Sequence, residues 1–437
     1  MTTKSTVKLP GLTTPIVLDS KAIAAHGTGP AAADTVDLQK KFQSRQTREI
    51  QKIAARSMPV LRPAARSAAK KTGKKKAAKK TVAKKLDRTA FLDDLAGQLS
   101  TQTEGFAIEI SYPHHSGRRH ETRVNDYAID PVDPGSKPWT KHVIQHVASV
   151  SKLVTAMAMT RRLHDLEVSP NKAIGAYLPP FWTQGPNIGA VTFAQLMTHK
   201  SGIRTAATDW ASMEALVNTG VSAANVGVYQ YENTNFSLCR ILLATLLMTT
   251  LKRVHGVKTY TFVNVWPATD AARDLLSIQS YQAYVKKRVL ISGETVRFMS
   301  VPGDALAYAF PKPPNNGWAS GDHSTTVGAA GWHFSTTDIL RFMGDFRRSG
   351  RIVKRRLAQK MLDDSFGIDM ITNPGGGTIY GKNGYWYDGI RVEQATVFFL
   401  PHQTEFVVLV NSSLLKNPPN DTWLMGFVES IYAAHLS

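Results

Sequence analysis

The feature that most limits what this chain can fold into is the stretch at positions 68–85, which is built almost wholly of alanine and lysine and holds neither an aromatic nor an acidic residue. Such a segment has no apolar surface to bury and cannot enter a core. It also divides the chain by charge. Residues 1–88 carry 21 Lys and Arg against 5 Asp and Glu, a net of +16, which leaves +4 of the formal +20 for everything after them. The sequence pI near 9.9 therefore belongs to a tail and says little about any pocket. Residues 1–88 are expected to form a basic, disordered N-terminal tail, with one loosely amphipathic helix within 39–66 marked by Phe42, Ile50 and Ile53. Its lysines make a nucleic acid or an anionic surface the candidate partner, with affinity that falls steeply as salt rises. The plainer alternative is a soluble spacer.

Residues 89–437 remain, enough for one large domain or two lobes sharing an interface. Within them, Ser149 and Lys152 stand three residues apart, a spacing that puts both on one face of a helix. A neutral amine there can take the proton of a serine hydroxyl, which is otherwise a weak nucleophile. The spacing alone selects nothing, because it recurs at Ser5/Lys8, Ser67/Lys70, Ser169/Lys172 and Ser413/Lys416. Context separates Ser149. An extended stretch at 142–147 leads in and a nearly continuous apolar run at 153–159 leads out, a pattern of strand, turn and buried helix. The bland alternative is a core helix with two serines in its first turn.

Two later segments supply further parts in order. Tyr231 and Asn233 precede the mostly apolar run Cys239–Met248 and would head another helix, and Lys382 lies between Gly381 and Gly384 ahead of two strand-like runs, 395–400 and 405–410. Glycines there let backbone approach a bound molecule. Taken singly, Asn233 is also a good helix cap, Tyr231 a good core-margin residue, and Lys382 an ordinary solvated lysine in a Gly-rich hairpin.

Together these segments make the chain resemble the serine hydrolases related to class C β-lactamases, penicillin-binding DD-peptidases and β-lactamase-fold esterases, whose motifs are Ser-x-x-Lys, Tyr-x-Asn and Lys-Thr-Gly or His-x-Gly. The connecting text is similar as well, notably 191–203 with its Thr198-His199-Lys200-Ser201-Gly202 and 328–338 with its Gly331 and Ser335-Thr336-Thr337-Asp338. The resemblance runs from about Leu95 to the C-terminus. It implies an α+β, β-lactamase/transpeptidase-like fold: an antiparallel sheet flanked by helices, a mainly helical lobe, and a site in the cleft between them. By the same resemblance Ser149 is the nucleophile, Lys152 and Tyr231 share the proton relay with either as base, and Asn233 positions substrate. Lys382 keeps a cation that recognises a carboxylate. The backbone N–H groups of Ser149 and of Tyr385, which follows Gly384, form the oxyanion hole. His199 lies in a segment that is structural in relatives.

Two departures narrow the expectation. Asn383 stands where the lactamases and peptidases usually carry threonine, which replaces a substrate-contacting hydroxyl by an amide and weighs against β-lactam turnover. Positions 251–276 look like an insertion that reshapes one wall of the pocket. No metal or organic cofactor is called for: there is no HExxH motif and no Walker-type loop, Cys239 sits in an apolar run, and His114, His115 and His120 fall in an exposed hairpin turn. The first 20 residues lack the apolar core of a secretory signal, no stretch is long enough to span a membrane, and a single cysteine suits a reducing interior. The sequence therefore points to a cytoplasmic hydrolase of a small ester or amide, an esterase ahead of a DD-peptidase or β-lactamase. A non-catalytic ligand-binding protein with a polyanion-binding tail is the alternative from another class.

Overall fold

Leu9, Ile16 and Leu18 are apolar residues inside the basic N-terminal region, and all three are buried. The computed structural model describes residues 4–26, 84–311, 316–414 and 424–437, and it shows what buries them. Strands β1 (Lys4–Val7) and β2 (Ile16–Asp19) pair as an antiparallel hairpin and lead into helix α1 (Ser20–His26). Gly11 donates its N–H to the Leu247 carbonyl at 2.8 Å, and His26 Nε2 lies 2.9 Å from Asp274 Oδ2. This corrects the expectation of a tail that is structureless from its first residue to residue 88. Lysines dominate the charge count, but a few well-spaced apolar residues suffice to dock a short arm. The Ala/Lys stretch at 68–83 and the amphipathic helix expected within 39–66 lie outside the described residues.

From Lys84 onward the chain forms α2 (Arg88–Ser100), β3 (Gly105–His114), β4 (Gly117–Ile129), β5 (Lys137–Pro138), β6 (Gln145–His146) and α3 (Ser151–Asp165). There follow α4 (Phe193–Met197), α5 (Trp210–Thr219), α6 (Thr234–Leu247), β7 (Thr249–Val254), β8 (Val257–Phe262) and α7 (Asp270–Arg288). The last part holds β9 (His333–Phe334), α8 (Thr336–Gly344), α9 (Arg355–Asp363), β10 (Met370–Thr372), β11 (Ile379–Tyr387), β12 (Val392–Leu400), β13 (Thr404–Val410) and α10 (Leu424–Ala434).

Seven strands make one sheet in the order β10-β11-β12-β13-β3-β4-β5, antiparallel throughout, so β3 and β4 from early in the chain complete a sheet finished by its end. The period-two alternation of the strands sorts their side chains. Phe106, Ile108, Ile110, Phe398, Phe406 and Val408 face α2 and α10 in one apolar cluster, while Ala107, Ala395, Val397, Phe399, Val407 and Leu409 face the helices. Each of the larger of these buried side chains, from valine upward, stabilises the fold by about 1.5–3 kcal/mol relative to exposure. The mixed α+β architecture with a second, mainly helical lobe is as the sequence predicts.

In that lobe α3 and α6 are buried on every side, as helices with apolar residues around the whole circumference must be. The stretch at 251–276, read from the sequence as an insertion, forms most of a hairpin, β7 paired with β8, followed by the first turns of α7. Its contacts with the lobe include ion pairs of Lys258 at 2.9 Å and of Arg253 at 3.1 Å with Glu167, and the Tyr260 hydroxyl donating to the Leu166 carbonyl at 3.1 Å.

Candidate active site

The chain leaves β6 at His146 and makes a single 3₁₀ turn, Ala148–Val150, before α3 begins. Ala148 has φ 45°, left-handed backbone that a residue with a Cβ adopts only when its surroundings impose it. The imposition is visible on both sides. The Val147 N–H donates to the Trp332 carbonyl at 3.0 Å, and the Trp332 N–H donates to Ser151 Oγ at 3.1 Å, so one residue clamps the turn before and after Ser149.

Ser149 Oγ lies 2.8 Å from Lys152 Nζ and accepts a hydrogen bond from the Tyr231 hydroxyl at 2.8 Å. Lys152 is fully buried and also donates to Asn233 Oδ1 at 2.7 Å and to the Ala329 carbonyl at 2.8 Å. A neutral amine has two N–H bonds and one lone pair, and those two carbonyl oxygens take both N–H bonds. The direction left over, toward Ser149, is the lone pair. Burial drives the Lys152 pKa well below that of a free lysine, and the Lys382 ammonium pushes it further, against the smaller opposite pull of Asp369 and Glu232.

Tyr231 and Asn233 stand at the head of α6, and Asn233 makes no capping bond with its side chain; it turns to Lys152 instead. The Tyr231 ring is stacked on His199, centroids 4.3 Å apart, with Lys152 Nζ and Lys382 Nζ 5.0 Å and 5.2 Å from its centroid. His199 Nδ1 accepts the Glu232 N–H at 3.1 Å, and burial, followed by the nearby Lys382 ammonium, keeps the imidazole neutral. His199 is thus a buried support beneath the tyrosine. Glu232, between the two motif residues, is buried, and its pKa is pushed up to about 7 by burial against the opposing backbone N–H groups of Asn233 and Thr234.

The third segment is strand β11. Lys382 reaches the helical side, where it is fully enclosed and pairs with Asp369 at 2.6 Å. Asp369 Oδ2 also accepts the Asn383 N–H at 3.2 Å. That bond points out of the edge of β11 opposite β12, and β10 covers that edge only as far as Gly381. Two residues on, the Tyr385 N–H points out of the same edge. Gly384 brings that edge against the nucleophile turn: a Cβ at this position would lie 2.2 Å from the Val147 carbonyl oxygen. The Asn383 side chain goes elsewhere, accepting from Thr396 Oγ1 at 2.7 Å across the β11–β12 pair.

Ser149, Lys152, Tyr231, Asn233 and Lys382 thus converge, Gly384 and Tyr385 form the facing edge, and the side chain of Asn383 is engaged away from them. Sequence reasoning did not foresee Asp369, Glu232 or the Ala329 carbonyl. Glu232 had a signal in its place between Tyr231 and Asn233. Asp369 had none, because it meets Lys382 across the strand edge.

Comparison with known proteins agrees with this fold. The sequence model described as Beta-lactamase matches residues 117–425. The chain belongs to the beta-lactamase family. That match spans all of the residues just described, from the 3₁₀ turn to the β11 edge. Among solved structures, the beta-lactamase/D-alanine carboxypeptidase from Pseudomonas syringae is 14% identical with TM-score 0.53, covering 79% of this chain and 98% of that one. The D-stereospecific amidohydrolase from Streptomyces sp. is 15% identical with TM-score 0.52, covering 76% and 96%, and FmtA from Staphylococcus aureus is 14% identical with TM-score 0.54, covering 81% and 92%. At such identities the likeness is one of fold. No curated protein sequence matches the chain significantly.

Proposed function

We propose that this member of the beta-lactamase family is a serine hydrolase that cleaves a small ester or amide lacking a carboxylate, through an acyl-enzyme on Ser149. The observation that carries the proposal is the saturation of Lys152 by Asn233 Oδ1 and the Ala329 carbonyl, which aims the amine lone pair at Ser149 Oγ. Ser149 passes its proton to Lys152 as Oγ attacks the carbonyl carbon, with Tyr231 donating to the same oxygen. The N–H groups of Ser149 and Tyr385 receive the oxyanion. Lys152, or Tyr231 relaying for it, returns the proton to the leaving group, and the pair then activates water to release the acid.

The enclosed Lys382–Asp369 pair supports the choice of substrate class, because an ammonium with no exposed surface and a carboxylate at 2.6 Å is a poor anchor for a second carboxylate. An ester therefore fits better than a penicillin or a peptide C-terminus. A cytoplasmic setting suits the single, buried Cys239. The test is hydrolysis of p-nitrophenyl butyrate beside mono-p-nitrophenyl succinate and nitrocefin, with Ser149→Ala as control. Turnover of the neutral ester that vanishes in the variant is expected. Preference for the succinate, or turnover of nitrocefin through a cephalosporoyl adduct on Ser149, would favour a β-lactamase or DD-peptidase. No turnover of any of them, with both proteins folded, would favour a binding protein.

A further inference from the structure

Behind the nucleophile turn lies a second buried polar cluster that the chemistry above does not use. The Gly331 N–H donates to His146 Nε2 at 3.3 Å. That fixes the proton of the neutral ring on Nδ1, which donates to Glu393 Oε2 at 3.0 Å. Glu393 Oε1 is 3.2 Å from Ser320 Oγ, Ser320 Oγ is 3.4 Å from Ser300 Oγ, and Ser300 Oγ is 3.2 Å from His333 Nε2. His333 Nδ1 then donates to the Gly331 carbonyl at 2.9 Å. The path begins and ends on one residue, so the hydrogen bonds form a closed ring around Gly331.

Two arrangements of protons satisfy every contact: a Glu393 carboxylate accepting from Ser320 with His333 as imidazolium, or Glu393 Oε1–H donating to Ser320, Ser320 to Ser300, and Ser300 to His333 Nε2. In the second, every member is neutral. Burial favours that state, raising the Glu393 carboxyl well above the usual range and lowering His146 and His333 to about 3. The groups facing the ring from neighbouring segments are His323, stacked on His146 with centroids 3.8 Å apart, Asp322, and the Arg297–Asp304 ion pair. The nitrogens of the three imidazoles do not converge, and among the described residues no set of His, Cys, Asp and Glu is placed to hold a metal ion.

What the ring holds is the catalytic segment. Gly331 has φ 104°, and a Cβ there would come 3.0 Å from the His323 carbonyl oxygen, so the peptide is gripped tightly. Two residues earlier the Ala329 carbonyl binds Lys152, and one residue later Trp332 clamps Val147 and Ser151 on either side of Ser149. Trp386, next after Tyr385, packs edge-on against His146 and His323 at 5.5 Å and 5.0 Å.

We propose that Glu393 is a positioning residue for the reaction: by closing the hydrogen-bond ring through His146 and His333 it sets the Gly331 peptide, and with it the two carbonyls that hold Lys152 and the nucleophile turn. The proposal rests on Ser149 being the nucleophile. Glutamine at 393 reproduces the neutral acid, accepting from His146 and donating to Ser320, whereas methionine fills the space and breaks the ring. The test is the rate at which a fluorophosphonate labels Ser149, with kcat and KM for p-nitrophenyl butyrate, in Glu393→Gln, Glu393→Met and Ser320→Ala. Labelling and kcat are expected to fall about 100-fold in Glu393→Met with KM little changed, the scale of a small misplacement of reacting groups. Glu393→Gln should recover most of that loss, and Ser320→Ala, at a partly buried position, should fall between them. Equal rates in all variants, or equal losses in Gln and Met, would overturn the proposal. If Glu393→Met does not fold, an unchanged rate in Ser320→Ala overturns it alone. If the wild type neither labels nor hydrolyses, the hydrolase proposal fails instead, and ¹⁵N-histidine NMR still decides the ring: His146 and His333 as Nδ1–H tautomers support it, and Nε2–H on His146 overturns it.

Discussion

At the residue scale, the state of one amine decides the chemistry. Lys152 is kept neutral by its burial and by the Lys382 ammonium, so the acidic limb of the pH profile should report its protonation. Lys382→Met removes that second cation and leaves Asp369 as the nearer charge. The limb of kcat/KM for p-nitrophenyl butyrate should then move to higher pH by about one unit, as expected when a like charge within a few ångströms is removed. The same variant strands a buried carboxylate and should lower Tm, a loss that the double variant with Asp369→Leu recovers. Glu232 bears on stability. Its folded-state pKa of about 7 lies above the unfolded value near 4.5, so its contribution is complete below about pH 4.5 and is lost as pH rises through 7. Glu232→Gln should flatten that decline, worth at most about 3 kcal/mol, in denaturant unfolding measured at pH 5 and pH 8. Ser149, Lys152, Tyr231 and Asn233 were legible because their chemistry demands fixed residue types at fixed spacings. Asp369 was not, since a pairing across a strand edge leaves no trace in local sequence.

At the element scale, the site depends on how closely β11 approaches the 3₁₀ turn. Gly384→Ala would place a methyl group 2.2 Å from the Val147 carbonyl oxygen and must push the two elements apart. The sheet around it is otherwise complete, so the fold should persist while acylation of Ser149 falls about 100-fold, measured as burst or labelling rate. The elements themselves were read from two signals of unequal strength. Alternation in Phe106–Ser111 and the apolar runs of β12 and β13 announced the sheet, and the apolar lead-out from Ser149 announced α3. The β7–β8 hairpin escaped because its strands face water and carry Lys252, Arg253 and Lys258 among their apolar residues. The arm of β1, β2 and α1 escaped for a related reason: charge averaged over 88 residues hides three buried side chains.

At the scale of the whole molecule, two described segments of the basic N-terminal region contact the rest of the fold, the arm of residues 4–26 and the stretch from Lys84, whose N–H bonds the Gly375 carbonyl at 3.3 Å. Removing residues 1–26 should lower Tm, because Leu9, Ile16 and Leu18 leave the core and Asp274 loses His26, one of the partners that with Arg240 hold its carboxyl below the usual range. Differential scanning fluorimetry of the truncated chain checks this. We expect the lysines between these two segments to retain the protein on heparin at low salt and to release it as salt rises, with ester hydrolysis unaffected. The docking of the arm has a consequence for proteolysis. While the arm is covalently joined to the rest of the chain, its docking beside α7 is an intramolecular event that does not depend on protein concentration. A single tryptic cut among those lysines would turn the arm into a free peptide whose occupancy depends on dilution, so nicked protein should lose stability on dilution while intact protein does not.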